Sequence, residues 1–388
     1  MIRRRPRIGL DLHVAEGIFQ GSRTHCLELF SRVIDFTPEC DFVLIAEEPH
    51  KLVSFNKSFA LPHVSFVSMP KKPSSVRLLW QLPNIVKRHG LSLLHVQYIA
   101  PPVSFCATAV TVHDILFESH REYFEKAFVL RSHLLVPYSI RHSACVFTVS
   151  GFSRRQICDT YSVSAEKVHT IPNGVDTERF FSGDLGFNEV QELGLQPGTY
   201  FLTVGRLEPR KNHATLLRAW AQLPCPRAPL VIVGQRHFQY REALDLIGTL
   251  RLERDVRVLE QVSDAQLGAI YRNAKGFVYC SWAEGFGMPL LEAMASGIPV
   301  ISSRSTALSE VCADAALLVD PSSPSEISDA VLALERTGLR ESLIHRGQLR
   351  IKEFTWEKAA RTVRSVYLRH FGLSPSGLSQ GARSVIHD

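Results

Sequence analysis

Short apolar runs, each bounded by polar or glycine- and proline-containing segments, recur along the whole chain. Arg7–Leu12, Asp41–Ala46, Val64–Val67, Leu93–Val96, Ala109–Val112 and Val146–Ser150 read as a first set of buried strands. Between the first two, Cys26, Leu27, Leu29, Phe30, Val33 and Ile34 are spaced for one buried face of a helix over about Thr24–Ile34. Val168–Val175 closes this half, with Pro172-Asn173-Gly174 as a turn. From Tyr200 the pattern restarts. Tyr200–Val204, Leu230–Val233, Val256–Leu259, Gly276–Ser281, a run opening at Val300 and Ala315–Val319 predict six more strands. Helices are expected over His213–Leu223, from Ser263-Asp264 to about Ala274, over Pro324–Glu335 and over Phe354–Phe371. The last turns Trp356, Val363, Val366 and Tyr367 to a core. The basic, proline-containing stretch from Pro70 to Asn84 predicts a surface loop.

At 388 residues the chain exceeds one ordinary core, so two domains are expected. Hydrophobic residues at 45% and charged residues at 21% describe a globular protein. No apolar run approaches the ~20 residues that span a bilayer. MIRRRPRIGLDL lacks the long apolar segment of a signal peptide, which predicts a cytoplasmic protein. The eight cysteines form no C-x-x-C pair and read as reduced, mostly buried thiols. Charge is uneven: residues 1–172 hold 20 Lys+Arg against 14 Asp+Glu, net +6, whereas residues 173–388 hold 24 of each. That excess is either a solvated basic face or a surface for an anionic membrane or a phosphorylated acceptor.

Candidate chemistry concentrates in Gly276–Ser303, a β–loop–α–β unit. Gly285 and Gly287 lie in the loop, Pro289 fits the first position of the helix, and Gly297 stops it. A helix N-terminus has unpaired N–H groups and suits an anion. Glu284 and Glu292 flank it and are placed to accept hydrogen bonds from sugar hydroxyls; Glu292 alone is equally well read as complementing the helix dipole. Arg206 and Lys211 follow a strand end and precede a helix, where two fixed cations match a diphosphate, although such residues are commonly solvent contacts. His113-Asp114 ends a strand, where open α/β sheets bind ligands, or else forms a capping pair.

The string E-G-F-G-M-P-L-L-E from Glu284 to Glu292, followed by A-M-A-S-G-I-P-V-I, resembles the E-x7-E signature of retaining glycosyltransferases of family 4. G-R-x-x-x-x-K-N from Gly205 to Asn212, the H-D pair at 113–114, S-x-F-S in TVSGFSRRQI (the strand-to-helix turn) and I-P-N-G-V-D resemble further elements of that family, in order. The resemblance implies the GT-B fold, in which two Rossmann-like domains face each other across a cleft holding a nucleotide-sugar donor. It implies an acceptor domain over 1–175, a donor domain over 176–353, a helix over 354–371 crossing back to the first domain, and a tail over 372–388 that its Ser and Gly content marks as disordered.

Residue by residue, the resemblance implies ribose contacts for Glu292, a donor-sugar contact for Glu284, and backbone N–H groups of Phe286, Gly287 and Met288 on sugar and diphosphate. His113 would lie beside the donor sugar. Arg206 and Lys211 would stabilise the departing diphosphate. Gly17 and Gly21 would let the first loop approach the donor, and Val262 would lie in the nucleobase-binding turn. No cofactor or metal is implied beyond the donor, since the chain lacks the D-x-D element of metal-dependent GT-A enzymes.

The expected function is therefore retaining transfer of one sugar to a glycan or lipid-linked acceptor of a bacterial surface polysaccharide. Peripheral contact at the inner face of the plasma membrane is expected, and nucleic acid is not. H-D-I-L-F-E and E-Y-F resemble mannosyltransferase-like members, which makes GDP-mannose the first choice of donor. The rivals are a GT-B epimerase, which would yield epimer without acceptor, and a non-catalytic nucleotide-sugar-binding protein, which would release no nucleotide from the donor.

Overall fold

A computed structural model describes residues 5–16, 21–181, 185–237 and 239–374. Contacts divide the chain into two compact units. One comprises Met1–Thr111, Ser139–Val146 and Glu357–Asp388; the other comprises Val112–Tyr138 and Phe147–Trp356. Residues 112–138 and 147–175, in the first half of the chain, thus cluster with the second unit.

The strands of the first half are β1 (Arg7–Asp11), β2 (Asp41–Ala46), β3 (Val64–Ser68), β4 (Leu93–Gln97), β5 (Ala107–Thr111), β6 (Cys145–Thr148) and β7 (Val168–Thr170). They form one sheet in the order β3-β2-β1-β4-β5-β6-β7. Those of the second half are β8 (Phe201–Val204), β9 (Leu230–Val233), β10 (Val256–Leu259), β11 (Gly276–Tyr279), β12 (Val300–Ser303) and β13 (Ala316–Val319), in the order β10-β9-β8-β11-β12-β13. Pairing is parallel throughout β1–β5 and β8–β13. Parallel strands need helical crossovers on both faces, which is why runs such as DFVLIA and LVIV are apolar without alternation. In each sheet the strand order reverses once, at β1/β4 and at β8/β11. The two sheets are the α/β, Rossmann-like pair that the resemblance implied.

The last helix, Trp356–His370, packs its apolar face into the first unit. Tyr367 shares a 2.5 Å hydrogen bond with Nδ1 of His95, whose other ring nitrogen meets Thr111 Oγ1 at 2.8 Å. Burial lowers the His95 pKa to about 3, so the imidazole is neutral there. Arg364 reaches Glu39 at 2.6 Å, and Arg32 reaches Glu357 at 2.6 Å.

Two expectations need correction. The helix expected from Thr24 begins at Gly21 and runs to Phe36. The stretch expected as a loop between Pro70 and Asn84 is helical from Ser74 to His89, through a π turn at Arg77–Gln81. Pro83 is tolerated in the first turn of the segment Leu82–His89. The turn is pinned from within, because the Arg77 guanidinium pairs with the fully buried carboxylate of Asp11 at the end of β1. Helices at Lys126–His142, Arg241–Thr249 and Thr337–Arg350 had no assignment from the sequence. All eight cysteines are free thiols, with Cys225 exposed. Among the described residues, no helix is long and apolar enough to cross a membrane. Gly17, Arg3, Arg4 and the tail from residue 375 lie outside the described residues.

Candidate functional site

Within the second unit, β8 and β11 are the neighbours at which the strand order reverses, and ligands of open α/β sheets bind outside the carboxyl ends of such strands. Gly205–Asn212 leaves β8 there, and Cys280–Gly287 leaves β11. In the first of these, a 3-10 turn over Pro209–Lys211 follows Glu208, and Asn212 at φ 59° redirects the chain into the helix His213–Gln222. Asn212 holds both loops together through Nδ2, which donates to the carbonyls of Cys280 at 2.9 Å and Pro321 at 2.7 Å.

Glu284 is the centre of the site. Its Oε1 accepts from Lys211 Nζ at 2.7 Å and from the Tyr279 hydroxyl at 3.0 Å; its Oε2 accepts from the Arg210 guanidinium at 2.6 Å. Arg210 also donates to the Ala283 carbonyl at 2.8 Å and to Glu208 at 2.7 Å. The Glu284 backbone N–H donates to Thr306 Oγ1 at 2.9 Å. Burial opposes ionisation of Glu284, but Arg210 and Lys211 outweigh it and hold the carboxyl at about 2. For Lys211 burial prevails and lowers its pKa despite Glu284, with Arg210 adding like-charge repulsion. Lys211 Nζ also donates to the Tyr279 hydroxyl at 2.7 Å, which leaves one of its three N–H bonds for a ligand.

Arg206 differs from both. Half-buried, it makes no ion pair or hydrogen bond among the described residues, and burial lowers its pKa. Glu208 attracts it through space and Arg210 repels it, so it is held without a direct ion pair. Asp114 stands on the other side of the loop: a Cβ at Gly285 would come within 2.5 Å of its Oδ2. Asp114 accepts from the Leu116 N–H at 3.1 Å, as a cap would, and burial raises its pKa. His113 is half-buried, and its carbonyl accepts from Thr148 Oγ1 at 3.2 Å. Ser150 caps the helix Gly151–Tyr161 and donates to the Gly285 carbonyl at 2.8 Å.

The helix Met288–Ala295 begins at Gly287, whose φ of 103° only glycine adopts readily. Phe286 buries its ring edge-on against Phe354, centroids 5.7 Å apart, so only its backbone can serve a ligand. Glu292, one face further along, accepts from the Tyr271 hydroxyl at 2.8 Å; burial raises its pKa, against Arg179 and that hydrogen bond. Val262 is half-buried and packs on the core of this unit beside the capping box of Ser263 and Gln266.

Arg206, Lys211, Glu284 and Gly287 therefore arise from the two loops leaving β8 and β11, with Glu292 on the helix behind them. Gly21, the first residue of Gly21–Phe36, belongs to the other unit. Sequence reasoning missed Arg210, Tyr279 and the pairing of Asp114 with Gly285. A signal for Arg210 existed: three cations within 206–211 stand beside one carboxylate, Glu208, so a second had to come from elsewhere.

The family model of glycosyltransferase family 4 matches residues 21–179, and that of glycosyl transferases group 1 matches residues 188–350. The chain is 33% identical over 262 residues to the O-antigen chain mannosyltransferase B of Escherichia coli, covering 66% of this chain and 69% of that protein. It is 31% identical over 232 residues to the O-antigen chain mannosyltransferase RfbU of Salmonella typhimurium, covering 58% and 60%. The fold resembles Anabaena HepE, solved with UDP and glucose, with a TM-score of 0.75 at 20% identity over 94% of this chain and all of that one.

Proposed function

The chain belongs to the family 4 glycosyltransferases, and from that premise we propose that it transfers a sugar, with retention, from a nucleotide-diphosphate donor to a glycan or lipid-linked acceptor of a bacterial surface polysaccharide. GDP-mannose is the proposed donor, supported by the two relatives named as O-antigen mannosyltransferases. The observation that carries this reading is the pair of cations at the β8/β11 reversal: Arg206, with no direct ion pair among the described residues, and Lys211 with one N–H to spare.

The departing nucleoside diphosphate accumulates negative charge as the glycosidic bond breaks, and preorganised cations and N–H groups stabilise it. Arg206 neutralises the phosphate directly. Glu284 keeps Lys211 and Arg210 in place and leaves lone pairs for a sugar hydroxyl. The N–H groups of Phe286, Gly287 and Met288 face the diphosphate, and Glu292 accepts from the ribose hydroxyls. His113 lies beside the sugar. The acceptor approaches on the face the phosphate leaves, and a phosphate oxygen takes its proton, which preserves the anomeric configuration. The acceptor is membrane-linked, and the protein meets the bilayer peripherally from the cytoplasmic side.

Thermal stabilisation across a panel of nucleotide sugars tests the donor, since a ligand of the folded state raises the melting point. GDP-mannose should give the largest rise. Stabilisation by uridine nucleotides alone refutes that choice, and an inverted anomeric proton in the product refutes retention.

A further inference from the structure

From Pro49 to His113 the sequence holds Lys51, Lys57, Lys71, Lys72, Arg77, Lys87 and Arg88 and not one Asp or Glu. Six large exposed hydrophobic residues fall in the same stretch, and the most exposed is Trp80 at 70%, beside Leu79 at 61%. Two such residues in succession are unusual on a helix that has a core to cover. The π turn explains their direction. Arg77 is drawn inward by Asp11, Leu78 and Leu82 fill the core, and Leu79 and Trp80 are left on the outer side.

Cations flank this apolar tip along the chain. The Gln81 side chain donates to the Pro70 carbonyl at 2.9 Å, which ties the segment bearing Lys71 and Lys72 to the turn. Both lysines are exposed and make no ion pair among the described residues. In the last turn of the same helix, Lys87 and Arg88 are exposed, and Lys87 lies 5.7 Å from the centroid of the exposed Phe105 ring. Apolar side chains flanked by cations that make no ion pair among the described residues, with no carboxylate near in sequence, complement the interface of an anionic bilayer. A protein partner would need acidic groups in the same arrangement, and it would leave the solitary tryptophan without its usual membrane-interface role.

We propose that the turn Arg77–Gln81 is a membrane-docking tip, in which Leu79 and Trp80 insert at the acyl boundary and Lys71 and Lys72 hold anionic headgroups. Arg77 takes no part, because its charge is spent on Asp11. The proposal deepens the membrane-side reading given above and does not depend on the identity of the donor.

The test is co-sedimentation of the full chain with phosphatidylglycerol–phosphatidylcholine vesicles and with phosphatidylcholine alone, at low and high salt. The wild type should bind the anionic vesicles, retain part of that binding at high salt, and show tryptophan quenching by brominated lipid. Lys71→Glu/Lys72→Glu should weaken partitioning about thirtyfold or more, at about one decade per 1.4 kcal/mol and about 1 kcal/mol per lost cation. Leu79→Ser/Trp80→Ser should lower it at least tenfold and abolish the quenching. Both variants should keep wild-type stabilisation by nucleotide, which shows that they fold. If both bind vesicles as the wild type does, the tip is wrong while peripheral attachment stands. If the wild type binds no vesicles, both membrane readings fall and the transferase reading is untouched. A wild-type dimer dissociated by Leu79→Ser/Trp80→Ser, without vesicle binding, makes the tip a protein interface and overturns the proposal.

Discussion

Replacing Glu284 by alanine removes the acceptor shared by Lys211, Arg210 and Tyr279 and leaves two cations buried beside each other. In the fold this carboxyl ionises at about 2, against an ordinary 4.5. At about 1.4 kcal/mol per pH unit the difference corresponds to about 3 kcal/mol favouring the ionised fold. Removing one partner of a buried ion pair costs roughly 3–5 kcal/mol by independent measure. The net worth of the cluster is smaller than either figure, because burial and Arg210 disfavour the charge on Lys211. For a unit of 150–250 residues each kcal/mol moves the melting point by roughly 2–4 °C, so about 3 kcal/mol sets an upper bound of about 6–12 °C on the loss. Scanning calorimetry at pH 7 on Glu284→Ala and Glu284→Gln measures it. The sign with pH is also fixed. A depressed carboxyl stabilises the fold above its unfolded pKa and loses that contribution as pH falls from about 4.5 towards about 2. The gap between wild type and Glu284→Gln should therefore narrow below pH 4.5. A Glu284→Ala protein melting within 2 °C of wild type at pH 7, or a gap that does not change on acidification, would refute the account.

Glu292→Ala should weaken nucleotide binding by about tenfold to over a hundredfold, the worth of a charged hydrogen bond, and calorimetric titration with nucleoside diphosphate checks it. Arg206→Ala should lower turnover by roughly a hundredfold or more with a smaller effect on donor binding, since the phosphate charge grows in the transition state. It is a cleaner probe than Lys211→Ala, which also breaks the Glu284 cluster; equal losses in kcat and in donor affinity would recast Arg206 as a ground-state clamp. Turnover should survive excess EDTA, because protein cations meet the diphosphate; chelation that abolishes it, with recovery in magnesium, would show a metal in the reaction.

The sequence by itself determined what is local. Strands such as DFVLIA and GFVY were legible because runs buried on both faces must be apolar throughout. The helix stop at Gly297 and the helix start at Ser263 were legible because turn chemistry depends on a few neighbouring residues. So were the loops bearing Arg206, Lys211 and Glu284 and the helix bearing Glu292, whose spacing carries the family resemblance. What only the tertiary structure decided is which charge meets which. Arg210 finds Glu284 74 residues away, Arg77 finds Asp11 66 away, and His95 finds Tyr367 272 away. At Pro70–Asn84 the expected loop is helical from Ser74, with its π turn tied to β1 by the buried ion pair of Arg77 and Asp11. Electrostatic fate depends on burial and on partners brought by sheet order, and neither is written in neighbouring residues. Hence Lys211, equally basic in sequence with Arg206, is tied to Glu284, while Arg206 makes no direct ion pair among the described residues.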